Sequence, residues 1–72
     1  MNTSTTIAVA LDGRPREISA GTTLAALVGE LGYAPNAVGT AVNGRFVARG
    51  LRDGLELRPG DSVVLFQPIA GG

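Results

Sequence analysis

The chain has 72 residues, six Arg and no Lys against six acidic residues, and a formal net charge of zero. One small domain of this size buries only about 60% of its unfolded surface, and the neutral balance excludes the basic footprint of a nucleic-acid or membrane-surface binder. With no Cys and no His, disulfides and thiolate chemistry are excluded, general acid–base catalysis loses its usual player, and the three Asp and three Glu show no metal-ligand spacing.

The opening MNTSTT lacks the basic start and apolar stretch of a signal peptide, and no apolar run approaches bilayer length, so cytoplasmic residence is expected. TIAVAL then alternates Ile7, Val9 and Leu11 with Ala8 and Ala10, which predicts a strand over 6–11. Asp12-Gly13 is a favoured hairpin dipeptide. An antiparallel return strand is expected over Arg16–Ser19, with Pro15 tolerable only at its start. In GTTLAALVGELG, Leu24, Leu27, Val28 and Leu31 recur at i, i+3, i+4 and i+7, with Thr22 or Thr23 to cap the start and Gly32 to end it. Gly29 inside this helix costs about 1 kcal/mol relative to Ala and points either to close packing there or to a tolerated imperfection.

A loop with Tyr33, Pro35 and Asn36 leads to TAVNGRFV, where Asn43-Gly44 between two apolar runs predicts a second hairpin. A connector through Leu51, Leu55 and Leu57 reaches RPGD. Pro59 and Gly60 suit the central positions of a type II turn there, ahead of a fifth strand over Ser62–Gln67. Two strands, a helix, two strands, a connector and a strand, with no repeat or low-complexity block, make an α+β domain with a mixed sheet of about five strands on one helix. The expected organisation is a single domain over 1–67 followed by a flexible C-terminal tail, 68–72. If Ile7, Val9, Leu11, Val63 and Leu65 face the helix, alternation sends Ala8, Ala10, Val64 and Phe66 outward, onto a face with no second layer to cover it. A soluble monomer seldom shows such a patch without use, so Val64 and Phe66 are the expected partner-binding residues. Arg45, Arg49, Arg52 and Arg58 are candidates for an exposed rim that meets acidic partner groups.

The order of elements along the chain resembles that of the β-grasp, or ubiquitin-like, fold. AVNGRFV, LRPGDSVVLFQPIAGG and the total length resemble the sulfur carrier proteins of thiamine biosynthesis, the ThiS family, over essentially the whole chain. One departure is Ala48-Arg49 with no Trp after it, where members often have a Pro-Arg pair followed by Trp. The resemblance implies that the Gly72 carboxylate is adenylated, at the cost of ATP and with Mg²⁺, by an E1-like adenylyltransferase of the ThiF/MoeB type, and then becomes a thiocarboxylate. It further implies a sulfur donor such as a cysteine desulfurase persulfide and, as acceptor, a thiazole synthase of the ThiG type. The carrier itself would bind no cofactor and act as a protein cosubstrate, not an enzyme. GxGxxG and P-loop patterns are both absent from the chain.

The residues explain why such a tail suits the task. A terminal carboxylate with a pKa of about 3.5 is ionised and unreactive at neutral pH, so it needs activation. Gly71 and Gly72, without a Cβ, permit close backbone approach inside a narrow channel. Pro68 cannot donate to a ladder and would end the last strand, while Ile69 would offer an apolar anchor and Ala70 a small link. Two alternatives stay open from the residues. The small subunit of molybdopterin synthase shares the fold, the Gly-Gly end and the chemistry, and a noncovalent ubiquitin-like interaction module would be indifferent to loss of Gly72.

Overall fold

The computed structural model describes residues 5–67. Strands β1 (Thr6–Leu11) and β2 (Arg14–Ser19) form a hairpin, followed by helix α1 (Leu24–Glu30), then strands β3 (Gly39–Val42) and β4 (Arg45–Val47) as a second hairpin, and finally β5 (Ser62–Phe66). Short 3₁₀ turns occupy Pro35–Ala37 and Arg49–Gly54. They fall in the loop and the connector, where no apolar period announced them, because 3₁₀ turns are short and need no amphipathic stripe.

The five strands form one sheet in the order β2-β1-β5-β3-β4. β1 and β5 run parallel in mid-sheet, pairing Ala10 with Ser62 and Leu11 with Val63, while β3 pairs antiparallel with β5 from Gly39↔Phe66 to Val42↔Val63. This is the mixed β-grasp sheet that the element order predicts. The sheet carries α1 on one face. Val9, Ile18, Leu24, Leu27, Val42, Leu57 and Val63 form the buried core, with Ile7, Leu11, Leu31, Val47, Leu55 and Leu65 packed at its edge.

Both hairpins use the turns their dipeptides specify. Asp12 and Gly13 have φ of 51° and 84°, and Asn43 and Gly44 of 53° and 83°, the paired positive values of a type I′ turn that match strand twist. β2 begins two residues earlier than expected, with Pro15 inside it opposite Ala10. Two features tolerate it: β2 is an edge strand, and the residue next but one to a two-residue turn sits at a non-hydrogen-bonded position, so the missing N–H would have faced solvent. In α1, Thr23 is the N-cap, its Oγ1 accepting from the Ala26 N–H at 3.1 Å, while Thr22 is buried and its hydroxyl donates to the Ser19 carbonyl. A Cβ added to Gly29 would meet nothing within 4 Å, which removes close packing as the reason for that glycine.

Candidate functional site

β5 is the strand from which the chain leaves the sheet, and its alternation divides its residues between two faces. Val63 and Leu65 point toward α1, Val63 fully buried and Leu65 partly so. Val64 and Phe66 point the other way and are 43% and 41% exposed, on the side the alternation predicts. The register brings more residues to that face. Val64 stands opposite Ala41, Ala41 opposite Phe46, and Phe66 opposite Gly39.

Phe46 was missed as a site residue although it is 68% exposed. The signal was present in the sequence: a two-residue Asn43-Gly44 turn forces Phe46 onto the face of Ala41, and hence beside the outward residues of β5. Its ring lies 6.3 Å from that of Phe66, centroid to centroid, with the planes tilted by 42°, within the range of favourable aromatic pairing. Phe66 also lies across Gly39, so closely that a Cβ there would overlap the ring. Gly39 is therefore a seat for Phe66, chosen for space rather than for backbone freedom. Around the two rings is an open groove of about 530 Å³ bordered by Pro35, Gly39, Phe46, Arg49, Phe66 and Gln67. Its lining joins the apolar Pro35, Val38, Phe46 and Phe66 to the polar Asn36, Arg49 and Gln67, the mixture found in protein–protein contacts.

The four arginines do not make one rim. Arg49 borders the aromatic groove, whereas Arg45 and Arg58 line a separate cavity with Asn43 and Asp61, near the start of β5. Arg52, expected at the surface, is only 3% exposed. Its Nε donates to Thr40 Oγ1 at 3.0 Å, and its two terminal nitrogens donate to the Pro35 and Val38 carbonyls at 2.8 and 2.7 Å. A planar guanidinium can serve three acceptors at fixed angles, so Arg52 ties the 49–54 turn to the 35–38 segment and to β3. It helps to line the aromatic groove, but with 3% exposure and all three of its nitrogens already bonded within the domain it does not present a guanidinium to a partner's carboxylate.

Pro68, Ile69, Ala70, Gly71 and Gly72, the expected threading and reacting residues, lie outside the described residues. Among the described residues, no cluster of three or more His, Cys, Asp or Glu side chains could hold a metal ion, and no helix is long and apolar enough to cross a membrane.

The sequence model of the ThiS family matches residues 6–72, nearly the whole chain. The chain belongs to the ThiS family. A crystal structure of the thiamine biosynthesis protein (ThiS) from Geobacter metallireducens is similar to it, with a TM-score of 0.77 and 22% sequence identity over 92% of this chain and 100% of that one. At that identity the likeness speaks for the fold, and it agrees with the β-grasp arrangement described above. None of the curated proteins matches the chain. Membership of the ThiS family supports a role as a small sulfur carrier in thiamine biosynthesis, working with partner enzymes in sulfur transfer.

Proposed function

We propose that the chain is a thiocarboxylate sulfur carrier for formation of the thiamine thiazole, with Gly72 as its reacting residue. The observation that carries this is the ThiS match running through residue 72, joined to an exposed aromatic face on the strand that leads into the tail. Activation would proceed by attack of the Gly72 carboxylate on the α-phosphorus of ATP at an E1-like adenylyltransferase, giving an acyl-adenylate and pyrophosphate. The terminal sulfur of a cysteine persulfide then displaces AMP, and thiol reduction of the resulting acyl disulfide leaves the thiocarboxylate for a thiazole synthase. ATP and Mg²⁺ belong to the adenylyltransferase. The chain supplies a small folded body, the residues Pro68, Ile69, Ala70, Gly71 and Gly72 that would enter the active site, and a surface that brings them to it.

Val64, Phe66 and Phe46 are the proposed docking surface for that adenylyltransferase, and the sulfur acceptor would use the same face in its turn. Continuity favours this assignment, because Phe66 is six residues from Gly72 along the chain and a partner gripping it holds the tail within reach. The deciding experiment is the intact mass of the chain after co-expression with the adenylyltransferase and sulfur source of the same organism. A mass gain equal to exchanging one oxygen for sulfur, present in the full chain and missing when Gly72 is deleted, is the expected result. If an adenylyltransferase known to be competent yields neither that shift nor an AMP adduct, the noncovalent interaction module takes its place.

A further inference from the structure

β5 is unevenly supported along its length. Its β3 side is paired from Val63 to Phe66, but the parallel ladder to β1 covers only Ser62 and Val63. On the β1 side, the Ala10 N–H donates to the Asp61 carbonyl at 2.9 Å and the Asp12 N–H to the Val63 carbonyl at 2.8 Å. In a parallel ladder the next donor on that edge is the Leu65 N–H, and its regular acceptor would be the backbone carbonyl of Asp12. The Leu65 N–H makes no bond to that carbonyl, and Asp12 has already entered the hairpin turn with φ of 51°. The side chain replaces it: Asp12 Oδ1 accepts from the Leu65 N–H at 3.0 Å, across 53 positions of sequence. Asp12, Leu65, Phe66 and Gln67 border one cavity at the end of the sheet where β5 leaves it.

We infer that Asp12 is a positioning residue for sulfur loading: its carboxylate adds one rung to the parallel ladder and sets the direction in which β5 hands the chain on to Gly72. The Asp-Gly turn alone does not require this, since Gly at position 12 makes a type I′ turn equally well. The carboxylate is needed only because the partner strand ends one rung too early. A hydrogen bond to an ionised acceptor is stronger than one between neutral groups, which suits a single side chain replacing a backbone rung. The bond is exposed, so its loss frees the end of β5 without unfolding the domain.

This inference rests on the carrier function proposed above, and two readouts separate them. Asp12→Gly keeps the turn and removes the acceptor, while Asp12→Asn keeps an oxygen acceptor and tolerates positive φ. Amide hydrogen exchange is measured on both variants by NMR, and ATP–pyrophosphate exchange is measured with the adenylyltransferase of the same organism, ATP and Mg²⁺. The expected result for Asp12→Gly is Leu65 amide exchange faster by about fivefold or more, the ratio for loss of one net hydrogen bond, while the core amides of Val9 and Val63 are unchanged. Its kcat for adenylation should fall by a similar factor with KM little altered, since the docking face is intact, and Asp12→Asn should restore most of both. Unchanged Leu65 exchange in Asp12→Gly overturns the added rung. Faster exchange with an unchanged kcat overturns the positioning role. A wild-type chain that is never adenylated sinks the carrier function and the positioning role with it, while Leu65 exchange still decides whether the rung exists.

Discussion

Replacing Arg52 by Met removes a guanidinium that is 3% exposed and holds three acceptors while leaving most of the apolar stem in place. Two effects oppose each other. A buried cation whose bonds go to a hydroxyl and two carbonyls bears a desolvation penalty that the substitution relieves. Against this, the substitution orphans acceptors, and a buried polar group left unpaired costs about 1–3 kcal/mol. Thr40 keeps a partner, because its hydroxyl donates to the Val47 carbonyl at 2.9 Å. The Val38 carbonyl lies in the buried part of the network and bears the full penalty, and the Pro35 carbonyl, partly buried, bears less. A net loss of about 2–3 kcal/mol follows from these magnitudes. For a chain of this length total stability is only about 4–11 kcal/mol, so the loss lowers Tm by about 10–20 °C. Urea unfolding followed by far-UV circular dichroism should show a lower midpoint with an unchanged m value. Arg52→Lys should do no better, since a point-charge ammonium cannot serve three acceptors set out for a planar fork. An unchanged or raised midpoint for Arg52→Met would refute the reasoning, by showing that desolvation of the guanidinium outweighs its bonds.

Gly39→Ala places a methyl group where the Phe66 ring lies; overpacking of this kind costs about 1–3 kcal/mol, or the ring swings into solvent, and loss of the Phe46–Phe66 ring NOEs would report the second outcome. Gly29→Ala meets open space in a helical backbone and should stabilise the chain by about 1 kcal/mol, read as a higher urea midpoint. Asn43→Gly keeps the type I′ turn but removes the bonds from Asn43 Nδ2 to Asp61 Oδ1 and from the Ser62 N–H to Asn43 Oδ1. Because both are exposed, the cost should stay near 1 kcal/mol, and a much larger drop in midpoint would mean that the turn cluster is a folding requirement. Phe66→Glu should leave the fold intact by circular dichroism while raising the KM for adenylation at least tenfold; unchanged kinetics would remove the aromatic face from the docking role.

Local rules carried much of the fold. Asp12-Gly13 and Asn43-Gly44 specified two hairpins because few other dipeptides accept paired positive φ. The period of Leu24, Leu27, Val28 and Leu31 specified the helix, and the Thr22-Thr23 pair its start without choosing between the two, because a helix buries one stripe and leaves its first N–H groups to a cap. The outward placement of Val64 and Phe66 followed from strand alternation alone. Arg52 could not be recognised by the same means: an arginine in the glycine-rich, charged stretch RGLRDG reads as solvated on local rules, and its burial depends on carbonyls at positions 35 and 38 delivered by another part of the chain. Pro15 was misplaced for a related reason, since its tolerance depends on which edge of the sheet β2 occupies.

The list of elements, the turn chemistry and the identity of the apolar faces were legible in the chain alone, since each depends on residues within a few positions of one another. Contacts across long separations became visible only in the folded sheet: Phe66 over Gly39 and beside Phe46, the Arg52 guanidinium among three acceptors, and Asp12 on the Leu65 amide. These contacts depend on register. A strand shifted by one residue turns every side chain to the other face, and the register of β5 is set by its simultaneous pairing with β1 and β3, a constraint that exists only once the sheet has assembled.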